Sequence, residues 1–120
     1  MDTKEIEKRD AQPWVPMSNP TDVKIIGKFI EELNELSGAL SRALIQGIHE
    51  KHTDHEGTNL NHIVDEMGDV ENMFSFFKAR FMDAYDRSQL LQRAELKRNF
   101  LKNWLTNLPH DSTSINPPTA

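Results

Sequence analysis

Apolar residues recur every three or four positions along three segments of this chain, and this periodicity constrains the fold more than any other feature. Such spacing is typical of amphipathic α-helices, whereas strands alternate faces at every residue. Helices are therefore predicted over about residues 20–49, 60–84 and 88–108. Their apolar stripes comprise Ile26, Ile30, Leu33, Leu40 and Leu44 in the first helix, Ile63, Val70, Phe74, Phe77 and Phe81 in the second, and Leu90, Leu91, Ala94, Leu101, Leu105 and Leu108 in the third. With no strand pattern, internal repeat or glycine-rich phosphate loop, an all-α helical bundle is expected.

The two ends of the chain differ from this helical middle. The first 20 residues are highly charged and then interrupted by proline, which restricts the residue before it. Asn19 followed by Pro20 is typical of a helix N-cap and first helical position. The last dozen residues are polar and contain three prolines, and we expect them to be a disordered tail. The predicted organisation is an N-terminal extension (1–20), a helical domain (21–108) and a tail (109–120).

Length and aromatic content together predict an oligomer. The chain has 120 residues, enough for one domain, and three helices of this size leave part of their apolar surface uncovered. Four phenylalanines of the second helix lie around more than one of its sides, namely Phe74, Phe76, Phe77 and Phe81. We therefore expect oligomerisation to complete the core, in a homodimer or homotetramer.

Charge and composition exclude several classes of function. The chain has 14 basic and 19 acidic residues, a net charge of −5, which argues against general nucleic-acid binding. It has no cysteine, which excludes disulfides, thiolate metal sites and cysteine nucleophiles. No apolar run reaches membrane-spanning length, and the N-terminus is too charged for a signal peptide. We expect a cytoplasmic protein without membrane partners, located in the host cytoplasm if it is encoded by a phage.

The first helix carries a cluster of three carboxylates, Glu31, Glu32 and Glu35. At about 100° per residue they occupy an arc of roughly 100°, in a polar sector shared with Lys28 and Arg42. Considered alone, this cluster is more typical of a solvated face with local ion pairs than of a functional site.

The second helix carries Glu66 and Asp69 in a different setting. Glu66 projects from the same side as Ile63 and Val70, and a carboxylate on a core-facing stripe must be neutralised, paired or bound to metal. No Lys or Arg occurs within residues 52–77. A salt bridge from another helix is the alternative, and metal binding is the favoured interpretation.

The two clusters together supply oxygen ligands from two helices that can pack antiparallel. All-oxygen sites suit Mg²⁺, for which Mn²⁺ can substitute, and several converging carboxylates would repel one another unless two or more ions intervened. Paired ions of this kind clamp phosphate oxygens and activate water. The pattern indicates hydrolysis of a phosphoester or phosphoanhydride.

The order Glu31-Glu32-x-x-Glu35, a histidine-containing loop and Glu66-x-x-Asp69 resembles the motif of the MazG-like, all-α nucleoside triphosphate pyrophosphohydrolases. The segments GKFIEELNELSGAL and VDEMGDVENMFSFF are similar to the two ligand-bearing helices of that family, and RAELKRNFLKNWL to its basic helix. The resemblance spans about residues 22–108, with a longer loop than is common in the family.

This resemblance implies an activity: a (deoxy)nucleoside triphosphate and water give the monophosphate and pyrophosphate. It also implies metal ligands at Glu31, Glu35, Glu66 and Asp69. Glu32 would bind metal or orient the attacking water, so Glu32 and Glu35 are the catalytic candidates. Because the chain is short and stand-alone, like phage-type members, we expect dGTP or GTP as substrate. A non-catalytic helical module that binds structural cations or a basic partner is the alternative.

Five residues are candidates for substrate contacts. Arg98, within the apolar stripe of the third helix, would clamp a phosphate or form a structural ion pair. Lys97 and Lys28 are weaker phosphate candidates, for which a solvated face is the favoured interpretation. Trp14 would stack on a base or, as we favour, cap the open end of the bundle. Asn72 would read a base edge.

The histidines admit two interpretations each. His62, one turn before Glu66, would orient a metal ligand or simply lie at a helix edge, and the second is favoured. The regularly spaced His49, His52 and His55 would bind a transition metal or belong to a flexible polar loop, and again the second is favoured.

Overall fold

The computed structural model describes residues 13–51, 54 and 56–107, and these residues form three helices. They are α1 (Pro20–Gln46), α2 (Asn59–Phe81) and α3 (Ala84–Thr106). Within the described residues there is no strand, only an isolated antiparallel bridge between Lys51 and Thr58. The all-α prediction is confirmed. The chain divides into two compact units, residues 1–80 and 81–120, and each is described by itself.

Helices α1 and α2 form an antiparallel hairpin, because residues late in α1 meet residues early in α2. Ala39, Ala43 and Ile63 form a buried cluster, with Leu36 packed against it. The small alanines let the two backbones approach closely. Further along, the Phe29 ring meets the Phe74 ring edge-on, with 5.0 Å between centroids.

The apolar stripe that we predicted for the first helix is not the one that packs in the hairpin. Ile30, Leu33, Leu40 and Leu44 are 44–88% exposed. The packed stripe lies one position earlier along α1, where its members are Phe29, Glu32, Leu36, Ala39 and Ala43. The stripe predicted for the second helix agrees better with the structure. Its members Ile63 and Val70 are buried, and Phe77 and Phe81 are half-buried. Phe74 is 43% exposed.

A clasp at the closed end of the hairpin fixes the junction between α1 and α2. Gly47 ends α1 with φ +107, a conformation that favours glycine, and its N–H donates to Ala43 at 2.8 Å. The fully buried Asn59 donates from Nδ2 to the Gly47 carbonyl at 2.9 Å, and its backbone N–H donates to the Glu50 carbonyl. This clasp, formed by Gly47, Glu50 and Asn59, ends α1 three residues before the predicted His49.

Thr58 caps the start of α2 by reciprocal hydrogen bonds. The Asn61 backbone N–H donates to Thr58 Oγ1 at 3.2 Å, and the Thr58 backbone N–H donates to Asn61 Oδ1 at 2.9 Å. The arrangement is a capping box with asparagine in place of the usual glutamate. It satisfies backbone donors that would otherwise lack partners.

The open end of the hairpin is held by one arginine. As predicted, Asn19 caps α1, accepting from the backbone N–H groups of Thr21 and Asp22, with Pro20 as the first helical residue. Arg80, near the end of α2, donates to Asp22 Oδ1 at 2.6 Å and to Asn19 Oδ1 at 3.4 Å.

Helix α3 belongs to the second unit. It begins at Ala84 rather than near residue 88, and α2 ends at Phe81 rather than at 84, because Asp83 and Asp86 form a capping box. None of its residues is buried, so the predicted apolar stripe of this helix is not packed away. Residues 1–12 and the predicted tail at 109–120 lie outside the described residues.

Candidate metal centre

Four carboxylates come together midway along the α1–α2 hairpin. Glu32, Glu35, Glu66 and Asp69 each offer one oxygen, and these oxygens all lie within 4.8 Å of one another. Glu32 is buried, Glu66 is half-buried, and the other two are exposed. The structure thus brings together four of the five carboxylates that the sequence identifies as metal ligands.

The grouping follows from spacing on two antiparallel helices. Residues three apart on a helix lie on the same side, so Glu32 and Glu35 are neighbours on α1, as are Glu66 and Asp69 on α2. Glu32 occupies the packed stripe of α1 and is only 6% exposed. The solvated-face interpretation of the first cluster is therefore wrong for Glu32, because the side of α1 that faces α2 is not its most apolar side.

Two oxygens in this group are buried without a hydrogen-bond partner. They are Oε2 of Glu32 and Oε2 of Glu66. A buried charged oxygen without a partner costs several times the net gain of a hydrogen bond, so both atoms require a cation or a polar ligand.

The donor set fits a hard divalent cation. Mg²⁺ binds oxygen at about 2.0–2.1 Å, which places opposite ligands about 4.2 Å apart. Oxygens within 4.8 Å of one another reach that geometry through small side-chain rotations. The group can hold a metal ion, and all-oxygen donors match Mg²⁺ or Mn²⁺ better than zinc. The expectation of two or more ions stays a prediction.

Lys28 supplies positive charge beside Glu32, the buried member of the group. Its Nζ lies 3.0 Å from Glu32 Oε1 and 3.3 Å from Glu31 Oε1. Hydrogen bonds to Glu32 and then Glu31 raise the pKa of Lys28, which keeps the ammonium charged. For Glu66, the sequence left a salt bridge from another helix as the alternative to metal binding. The lysine observed here instead pairs with Glu32, and it comes from the same helix as Glu32.

Neighbouring carboxylates repel the negative charge of Glu35 and so raise its pKa. The negative charge of Glu32 raises the pKa of Glu35 above its ordinary value of 4.5, with further contributions from burial and from Glu66. A carboxylate whose pKa is raised by neighbouring carboxylates gains most from a bound cation.

His62 contacts the group directly rather than lying free at a helix edge. Its Nε2 is 3.1 Å from Glu66 Oε1, and the imidazole and carboxylate are only 20% and 15% exposed. An ionised carboxylate only accepts, so Nε2 donates. This is the contact expected of a residue that orients a metal ligand, the interpretation that the sequence analysis did not favour.

The remaining candidate residues lie outside the group of four. Glu31 is more than half exposed and pairs with Lys28, so its role as a ligand stays a prediction. Asn72 is exposed one turn beyond Asp69. Trp14 is 95% exposed and does not cap the hairpin, which corrects the favoured interpretation of that residue.

Two candidates belong to the second unit, on α3. Arg98 is half-buried, and the Lys97 ammonium lies 5.7 Å from the centroid of the Phe100 ring. Their roles in phosphate binding stay predictions. Of the loop histidines, His49 is exposed, whereas His52 and His55 lie outside the described residues.

Comparison with protein-family models, with curated proteins and with solved structures finds no match to this chain. Among the helices of the described residues, none combines the length and the apolar character needed to span a membrane.

Proposed function

We propose that this protein is a metal-dependent nucleoside triphosphate pyrophosphohydrolase, which converts a (deoxy)nucleoside triphosphate and water into the monophosphate and pyrophosphate. The resemblance of its two acidic motifs to the MazG-like family supports the reaction. The expected cofactor is Mg²⁺, replaceable by Mn²⁺, and the expected substrate is dGTP or GTP. The activity would adjust the nucleotide pool of the cytoplasm.

One observation carries the proposal: four carboxylates converge on a single point, and the most deeply buried of them has an unpaired oxygen. Carboxylates that served only as a solvated face would point apart and towards water. A buried, unpaired Glu32 oxygen on a side chain that belongs to an acidic group is costly unless a cation binds there.

The chemistry divides between the buried and exposed members of the group. Bound Mg²⁺ or Mn²⁺ supplies positive charge for the triphosphate oxygens and lowers the pKa of water. Glu32 and Glu66, the two less exposed ligands, hold the ion from the interior of the hairpin. Asp69 completes the set at the surface, and Glu35 lies beside it, where a triphosphate has access.

Glu35 is the proposed base. It is exposed, so a water molecule at the surface of the group can reach its carboxylate. As the water oxygen bonds to the α-phosphorus, its proton passes to Glu35 and the bond to the bridging oxygen breaks, so pyrophosphate leaves. This assignment makes buried Glu32 a ligand rather than the base.

Product analysis tests the reaction. The purified protein is incubated with each common NTP and dNTP in Mg²⁺, Mn²⁺ or EDTA, and the products are separated by ion-exchange chromatography. We expect monophosphate and pyrophosphate, no product in EDTA, and the highest rate with a guanine nucleotide. Glu32→Gln and Glu66→Gln should each lower turnover at least about 100-fold, the scale of losing one charge-stabilising group.

Glu71→Gln is the matched control. It makes the same change at an exposed position of α2 outside the acidic group, and it should retain full turnover. Diphosphate with orthophosphate would keep a metal-dependent hydrolase but contradict attack at the α-phosphorus. Absence of turnover with every nucleotide would favour the alternative, a helical module that binds cations or a basic partner.

A further inference from the structure

Lys28 is the nearest positive charge to the buried member of the acidic group. It lies four residues before Glu32 on α1, so helical geometry places the two side chains on one face. Its ammonium is 3.0 Å from Glu32 Oε1 and 3.3 Å from Glu31 Oε1. Sequence spacing alone thus delivers a cation to the edge of the site.

Lys28 pairs with only one of the two carboxylate oxygens of Glu32. Oε1 of Glu32 pairs with the ammonium, whereas Oε2 is buried without a hydrogen-bond partner. The Lys28 side chain is 53% exposed, so water and salt screen its side of the ion pair. A divalent cation can therefore replace the ammonium.

A divalent ion competes with Lys28 for the Glu32 carboxylate with two advantages. It carries twice the charge of an ammonium, and it approaches carboxylate oxygen to about 2.1 Å rather than 3.0 Å. It also reaches oxygens of Glu35, Glu66 and Asp69, which lie outside the two ion pairs of Lys28.

We propose that Lys28 is the exchangeable counterion of the metal site: its ammonium occupies Glu32 when no ion is bound, and the ion displaces it. The proposal rests on the metal site of the proposed function, not on the reaction. Its consequence is that Lys28 lowers the metal affinity, because an ion that binds Glu32 Oε1 must break the Lys28 pair and an ion that binds Oε2 must accept a positive charge nearby.

Metal titration tests this inference without any nucleotide. Mn²⁺ is titrated into the protein by isothermal calorimetry, for wild type, Lys28→Met, Lys28→Arg and Lys24→Met. Loss of one neighbouring positive charge, partly screened by salt, should tighten Mn²⁺ binding by about five- to tenfold in Lys28→Met. Lys28→Arg keeps the charge and should bind as wild type does. Lys24→Met makes the same change in net charge one turn earlier on α1, at an exposed position, and should change affinity less than about twofold.

Thermal unfolding provides a readout that a purely structural lysine would not move. In EDTA the Lys28→Met variant should unfold at a lower temperature than wild type, because buried Glu32 loses its counterion. On addition of Mn²⁺ its Tm should rise more than that of wild type, because the gain follows the tighter affinity. A structural role would lower Tm equally with and without metal.

The outcomes separate this inference from the proposed function. If wild type binds Mn²⁺ and Lys28→Met binds it no more tightly, the exchange is overturned and the metal site stands. If wild type binds no Mn²⁺, the metal site and the exchange are both overturned. If Lys28→Met binds more tightly but no nucleotide is hydrolysed, the exchange stands and the reaction is overturned.

Discussion

Two neighbouring glutamates of this chain differ greatly in their exposure to solvent. Glu31 and Glu32 are adjacent in sequence, yet the Glu31 side chain is 56% exposed and that of Glu32 only 9%. A step of one residue turns a helical side chain by about 100°, which moves it from solvent to the helix interface. The acidic motif was readable from the sequence, but which glutamate is buried was not, because Ile30, Leu33 and Leu40 define a more apolar side of α1.

His62 gives the prediction at this scale. Its Nε2 donates to Glu66, and partners that orient a metal ligand in this way typically contribute 10- to 100-fold to metal affinity. We therefore expect His62→Ala to weaken Mn²⁺ binding by about tenfold while the helix content seen by circular dichroism stays unchanged. His49→Ala, at an exposed loop histidine, is the control. Equal affinities for the two variants would mean that His62 plays no part in the site.

Each of the three described helices begins at a short polar residue that satisfies free backbone donors. Asn19 precedes α1, Thr58 precedes α2, and Asp83 precedes α3. The first cap was predicted from the proline that follows it. The other two caps were not predicted, because a capping box usually carries Glu or Gln at its third helical position, whereas here Asn61 and Asp86 fill that place. Looser matching of that pattern would have placed the start of α3 at Ala84 rather than near residue 88.

The cap of α3 predicts a pH dependence. The Asp86 backbone N–H donates to the Asp83 carboxylate and lowers the pKa of Asp83 below its ordinary value of 3.8. A lowered folded-state pKa contributes stability that is fully present above 3.8 and lost as the pH falls through the lowered value. Wild type should therefore exceed Asp83→Ala in Tm at neutral pH, and this advantage should shrink in acid, where the protonated carboxyl accepts only as a neutral group.

Asp83→Asn separates charge from hydrogen bonding at the same position. Its amide oxygen still accepts from the Asp86 backbone, so its advantage over Asp83→Ala should be independent of pH. Thermal unfolding followed by circular dichroism, roughly between pH 7 and pH 2, measures both differences. A wild-type advantage as large at the acid end as at neutral pH would show that the carboxylate charge contributes nothing to the cap.

At the scale of the whole molecule, the hairpin has two unlike sides. On α1 the exposed apolar stripe lies one residue after the packed stripe, and on α2 the half-exposed Val64 and Met67 bear the same relation to Ile63 and Glu66. Because the helices are antiparallel, an equal step along each turns both stripes to the same side of the hairpin. Glu35 and Asp69 lie about 60° in the other direction from Glu32 and Glu66, so they open on the opposite side.

This apolar side predicts a dimer. The packed interior has only five buried apolar residues among those described, too few to support a stable hairpin, and a second copy covering the apolar side would form a four-helix bundle. We expect a dimer in analytical ultracentrifugation. Leu40→Glu should weaken it at least about tenfold, since burying one leucine contributes about 1.5–3 kcal/mol. Ile45→Glu, at an exposed isoleucine that points away from this side, should leave the dimer intact. A monomeric wild type would contradict the prediction.

Sequence periodicity therefore predicted the helices and the acidic group but assigned the packed side of α1 to the wrong stripe. Periodicity measures how apolar a side is, and it does not say whether the neighbour is another helix of the same chain. Leu33 and Leu40 satisfy the pattern, whereas Ala39 and Ala43 make the contact within the hairpin. Small residues add little to the apolar character of a stripe, but they allow two helices to approach each other closely.

The clasp formed by Gly47, Glu50 and Asn59 also bears on how this protein tolerates change in length. Because the clasp joins the ends of α1 and α2 before the loop reaches its tip, the helix register is fixed independently of the number of residues between Lys51 and Thr58. Insertions there lengthen the connection at small entropic cost and leave the four carboxylates in place. The length of this connection can therefore vary without changing the register of the two helices. A peptide tag inserted there should leave the four-carboxylate group intact.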